Sequence, residues 1–229
     1  MGSIWFVLIN RDAGTPPPAA GARLIQTPSP PTKSAANSGN RTSRAPQIPR
    51  PAAVAPVVPD RASGIFEAAA GTSARVGRGH LVTYRVEVED GLPIEPSAFA
   101  AAVDGTLADP RGWTSAGEYS FKRSPRAVLR ILLASPSTTD NLCAPLKTRG
   151  EVSCRNGNVV AINAKRWFVG ALSYGNDLGP YRQYVVNHEV GHSLGRRHQD
   201  CPKQGALAPV MLQQTIGLQG CKANSWPYR

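Results

Sequence analysis

The stretch His188-Glu189-Val190-Gly191-His192-Ser193-Leu194-Gly195-Arg196-Arg197-His198 gathers three of the chain's four histidines around Glu189 and Gly195. If it is helical, His188 and His192 stand four residues apart, and their imidazoles project from one face about one turn from each other. Two such imidazoles can share one metal ion. Glu189, beside the first of them, can reach a water on that ion without binding the ion itself, which is the position of a general base. A third ligand must come from a chain that has turned. Gly195 serves that turn, because glycine takes the left-handed position at a helix end with no Cβ penalty. His198 is thereby returned toward the pair. The expected chemistry is Zn²⁺ held by His188, His192 and His198, with a fourth position open to water and Glu189 as the general base that takes that water's proton.

These residues need a helix, and the chain ahead of them supplies one. Gly179-Pro180 suits its first turn, and Tyr181, Tyr184, Val185, His188 and His192 lie on overlapping faces that carry the site into a core. Upstream, His80 to Asp90 alternates, with Val82, Tyr84, Val86 and Val88 opposite Thr83, Arg85, Glu87 and Glu89, which predicts a strand with one wet face. Pro96 to Leu107 predicts a packing helix, with Ser97 as a possible cap and Phe99, Ala100, Val103 and Leu107 inward. Trp113 to Lys122 reads as a short strand, and Ala127 to Ala134 as a strand buried on both faces. A polar loop is expected up to Cys143. Glu151 to Asn163 then predicts a hairpin turning on Asn156-Gly157, with positive φ at both. Such a hairpin would form the sheet's edge, to which an extended peptide can add as another strand.

Composition divides the 229 residues. Arg11 to Ser63 is rich in Pro, Ala, Ser and Thr, lacks aromatic residues and cannot bury enough apolar area to offset its ordering entropy, so a disordered linker is expected over 11–63 and a folded domain over 64–229. Of the net charge of +11, the linker carries seven basic against two acidic residues. That excess suits anionic cell-envelope polymers or lipid headgroups, whereas no recognition pattern for nucleic acid is present. Residues 1–10, with apolar Ile4 to Ile9, are too short for a signal core or a membrane span and read as a remnant of an export or anchor segment.

Cys143, Cys154, Cys201 and Cys221 contain no Cys-x-x-Cys pair, which argues against a second, thiolate-held zinc. Their number and spacing suggest disulfides between sequence neighbours and an oxidising compartment, although three pairings are formally open. Nothing points to an oligomer, and a monomer is expected.

Downstream of His198, Pro209-Val210-Met211-Leu212-Gln213 places a methionine in a turn. With His188-Glu189-x-x-His192-x-x-Gly195-x-x-His198 ahead of it, the chain resembles the metzincin clan of zinc metallopeptidases. More finely, it resembles a family of actinobacterial exported metzincin-like proteins of unknown function. That finer likeness is carried by Asn187 to His192, Cys201-Pro202, Ala208 to Thr215, Gly220-Cys221 and Trp226-Pro227. The resemblance implies an α+β, metzincin-like fold: a small twisted mixed β-sheet with a packing helix, an active-site helix, a Met-turn and a short C-terminal subdomain. It implies that Met211 floors the metal site and that the protein is an extracellular or envelope-tethered endopeptidase. Two features of better-known metzincins are missing: a tyrosine two residues beyond Met211 and an upstream cysteine switch. Tyr174 and Tyr228 are the candidates for an oxyanion donor. Two other functions compete: a non-catalytic envelope-binding protein whose structural zinc is closed by His80, Asp177 or Asp200, and a zinc amidase acting on cell-wall peptides.

Overall fold

Strand periodicity over His80–Asp90 is realised in the computed structural model, which describes residues 56–175 and 177–229. In chain order the elements begin with β1 (Phe66–Ala68), β2 (Val76–Gly77), β3 (His80–Glu89) and helix α1 (Pro96–Ala108). Strands β4 (Tyr119–Arg123) and β5 (Leu129–Ala134) lead to helix α2 (Pro136–Cys143). Then come β6 (Cys154–Asn156), β7 (Val159–Asn163), helix α3 (Ala164–Val169), a 3₁₀ turn at Leu172–Tyr174 and helix α4 (Leu178–Ser193). The strands make one mixed sheet in the order β2-β4-β3-β5-β7-β6, with β1 also paired to β3. β4, β3, β5 and β7 are parallel, while β1, β2 and β6 are antiparallel to their partners. The expected α+β class with a mixed sheet is therefore present.

The apolar face of β3 enters the core, where Tyr84, Val86 and Val88 meet Phe99, Val103 and Leu107 of α1 and Val185, Val186 and Val190 of α4. Its other face is drier than alternation predicts. Glu87 is buried between Arg85 and Arg130, and Glu89 accepts hydrogen bonds from the Gly64 and Ser135 amides and the Thr138 hydroxyl. Residues ahead of β1 and the start of α2 cover that face, so these carboxylates are buried only because each has several donors.

Several local expectations need correction. The helix of Pro96 starts without a side-chain cap, Glu95 occupying the cap position and Pro96 the first turn, so Ser97 is not the cap. Trp113 is not in a strand; β4 begins only at Tyr119, and Trp113 packs into the core beside α4. The loop expected before Cys143 is helix α2, hidden from periodicity by its polar sequence Pro-Ser-Thr-Thr-Asp-Asn-Leu-Cys. The edge hairpin is present, but Asn156 pairs with Val159, and of the turn residues only Gly157 has positive φ. The folded part also begins before residue 64, since the Asp60 carbonyl accepts from Ser137 and Val58 and Ala62 pack on the core. The apolar start and the linker up to residue 55 lie outside the described residues.

Both sequence-neighbour disulfides form, Cys143 to Cys154 and Cys201 to Cys221. They are compatible with an extracellular protein. No helix among the described residues is long and apolar enough to cross a membrane.

Candidate metal centre

Helix α4 is buried on every side from Tyr184 to Gly191, because it runs between the sheet, α1 and the chain that follows it. Its end is built by Gly195. There φ is +80°, the Gly195 amide donates to the His192 carbonyl, and the Arg196 amide donates to the Gly191 carbonyl at 3.0 Å. This pair of bonds is a Schellman cap, and it reverses the chain at the point the sequence spacing requires. Among the described residues nothing lies within 4 Å of a Cβ built on Gly195, so positive φ rather than space calls for glycine there.

The reversal brings His198 beside His188 and His192, and the available ligand atoms of the three all lie within 4.8 Å of one another. The Nε2 atoms of His192 and His198 are 3.1 Å apart. Two ligands about 2.0–2.1 Å from one tetrahedral ion would be about 3.3 Å apart, so the spacing fits a shared cation. Two carbonyls fix the first two rings. His188 Nδ1 donates to the Val210 carbonyl at 2.8 Å and His192 Nδ1 to the Arg196 carbonyl at 2.9 Å. A carbonyl only accepts, so each Nδ1 carries the hydrogen and each Nε2 keeps a lone pair for a metal. Burial lowers the His188 pKa to about 3, aided by its histidine neighbours and opposed by the Val210 bond, so the ring is neutral at pH 7. The donor set therefore fits a metal ion that accepts imidazole nitrogen.

Glu189 is buried and lines the same groove as the three histidines. Without a cation, burial raises its carboxyl to about 8. A nearby dication would oppose that shift by favouring the ionised form. The groove holds about 490 Å³. Along one wall it has Tyr184, the histidines and Glu189; along the other it has Val152, Ser153, Cys154 and Arg155, the strand β6 and the residues leading into it. Leu146 and Lys147, Gly195 and Arg196, and Gln213, Thr215 and Ile216 add to the lining.

Met211 is buried, and its position explains a residue that spacing alone left without a role. A Cβ on Gly191 would lie 2.6 Å from Met211 Sδ and 2.7 Å from Trp113 Cζ2, so the helix tolerates both neighbours only because residue 191 has no side chain. Trp113 is held there by its Nε1 donating to the Asn187 carbonyl. The role of Gln214 likewise could not be read from spacing. Gln214 is fully buried, donates to the Pro209 and Asn224 carbonyls, and accepts from Tyr174 Oη and the Asn224 amide, tying the methionine turn to the C-terminal segment.

The oxyanion candidates do not reach the site. Tyr174 spends its hydroxyl on Gln214, and Tyr228 lines a separate cavity with Trp113 and Trp226 behind the methionine turn. Nor do the residues that might have closed the coordination sphere join the histidines. Asp200 is exposed and accepts from Gln219, Asp177 sits at the far end of α4, and His80 is exposed at the start of β3. Among the described residues, His188, His192 and His198 are the one group of His, Cys, Asp or Glu able to hold a metal.

Residues 53–229 match the family described as "Protein of unknown function (DUF3152)". No curated protein matches the chain, and no solved structure does.

Proposed function

The chain belongs to the DUF3152 family, and we propose that it is a metzincin-like zinc endopeptidase that works outside the cytoplasm. The observation that carries the proposal is the placement of the three-histidine group: it faces an open groove whose opposite wall is an edge strand, with Glu189 beside the first histidine. A purely structural metal would call for a fourth protein ligand, and none of the described residues provides one. The Met211 turn supports the same reading, because its Val210 carbonyl orients His188 while Met211 packs against the helix at Gly191.

Bound Zn²⁺ would supply Lewis acidity, polarising a peptide carbonyl and lowering the pKa of water. His188, His192 and His198 would hold it, and the Val210 and Arg196 carbonyls keep two of those rings in the ligating tautomer. An extended substrate would lie along β6, aligned by main-chain hydrogen bonds, with its scissile carbonyl over the histidines. Glu189 takes a proton from the attacking water as the carbon–oxygen bond forms. It returns that proton to the amide nitrogen as the carbon–nitrogen bond breaks.

The test is a peptide-library digest with the zinc-loaded chain, with and without o-phenanthroline, alongside Glu189→Gln. Hydrolysis should be lost with the chelator and restored by zinc, and Glu189→Gln should keep the metal while losing about 10²–10⁴ in rate. A Glu189→Gln protein that holds zinc and cleaves at the wild-type rate would sink the mechanism. Cleavage of cell-wall peptides but of no protein-derived peptide would favour the amidase alternative.

A further inference from the structure

The wall of the groove facing α4 carries unneutralised charge. Arg155 is the central residue of β6, and Lys147 lies in the loop that approaches it; both are exposed and both line the groove. Neither is paired with a carboxylate among the described residues, whereas the third cation of the lining, Arg196, is bound to Glu118 at 2.6 Å. Among the described residues, the one carboxylate in the lining is Glu189, buried beside the histidines. Ser153, Gln213 and Thr215 add polarity without charge.

We infer that the groove selects acidic peptide segments, with Lys147 and Arg155 as the residues that determine this specificity; the inference rests on the hydrolytic reading of the site. A peptide added to the edge of β6 presents its side chains alternately along the groove wall, within reach of charges on that strand. Arg155 offers a planar fork that matches a carboxylate, and Lys147 a flexible point charge. A basic segment would meet like charge with no acidic residue on the wall to relieve it, so discrimination comes from repulsion as well as attraction.

The experiment uses quenched fluorescent peptides that share one cleavable core and differ only in flanks of Asp/Glu, Gln or Lys, with the zinc-loaded full chain. At low salt, kcat/KM for the acidic peptide should exceed that for the basic one by at least about tenfold. The ratio should approach one in 1 M salt, where the screening length is about 3 Å. The double variant Lys147→Glu/Arg155→Glu should reverse the order, with zinc content and thermal melting showing that it is folded. Equal cleavage of the two peptides, or a ratio that the double reversal does not move, overturns the inference while leaving the hydrolase intact. If the wild-type chain cleaves none of the peptides, the hydrolytic reading fails instead. Anisotropy of the same peptides, labelled, on zinc-loaded Glu189→Gln then reads charge preference without turnover: tighter binding of the acidic peptide sustains it, and equal binding removes it.

Discussion

Gly195 and Gly191 are three residues past and one residue before His192, yet they serve it for different physical reasons. Gly195 is required for its backbone: at φ +80° a side chain is strained by about 1–2 kcal/mol, and relief of that strain would move the Arg196 carbonyl away from His192 Nδ1. Gly195→Ala should therefore weaken zinc affinity by about 10–100-fold, measured by competition with a chromophoric chelator. Unchanged affinity would mean that the cap does not position the ligands. Gly191 is required for its lack of volume. Gly191→Ala drives a methyl into Met211 Sδ and the Trp113 ring, and Trp113 is pinned by the Asn187 carbonyl. A loss of about 1–3 kcal/mol of stability is expected from denaturant titration. These two glycines separate what could be read in advance from what could not: the role of Gly195 follows from a ligand that must come after a turn, whereas that of Gly191 depends on side chains far away in the chain.

At the scale of elements, the groove exists because β6 is held at the edge of the sheet. β6 is only three residues long, and beyond its pairing with β7 it is anchored by the Cys143–Cys154 disulfide to α2 and by Asn156 Nδ2 donating to the Leu142 and Ala144 carbonyls. Replacing both cysteines by serine should cost about 2–4 kcal/mol in stability, seen as a lower melting temperature. On the proposed function, the variant should still bind zinc but lose peptide hydrolysis, because the histidines are on α4 and after it while the lost wall is the one proposed to align substrate. Loss of zinc from this variant would show that the wall and the metal centre are not separate units. The helix and edge hairpin were legible from the proline at the first turn of α4 and the Asn-Gly step. α2 was not, because a short helix of Thr, Ser, Asp and Asn owes its stability to the disulfide and to its packing on β7 and β6 rather than to an apolar stripe.

For the whole molecule, the centre of the sheet is electrostatically committed. Burial would raise the Glu87 pKa, but hydrogen bonds and attraction from Arg130 and Arg85 outweigh it and hold the carboxyl below its ordinary value of 4.5. A carboxyl with a depressed folded pKa binds protons more readily in the unfolded chain, so its contribution is complete above about 4.5 and falls away as pH drops through the lower folded value. Glu87→Gln should lose about 2 kcal/mol at pH 7, the order expected for hydrogen bonds to a charged group whose arginine partners are partly solvated. It should also show a smaller decline between pH 5 and the acid limit than the wild type, in urea titrations at a series of pH values. An equal acid decline in both proteins would mean that other carboxylates govern it.

The sequence by itself singled out the three histidines that the fold gathers into a group able to hold a metal, the general-base candidate beside them and the turn between them, because coordination chemistry fixes residue types and local chain geometry fixes their spacing over eleven consecutive positions. It also indicated an α+β chain with a central alternating strand and an edge hairpin, since those signals are local. Only the tertiary structure decided that Tyr174 and Tyr228 are turned away, that Glu87 and Glu89 are buried on the supposedly wet face, and that β6 stands across an open groove from His188. Each of those depends on segments tens of residues apart meeting in space, and no local spacing encodes which segments meet.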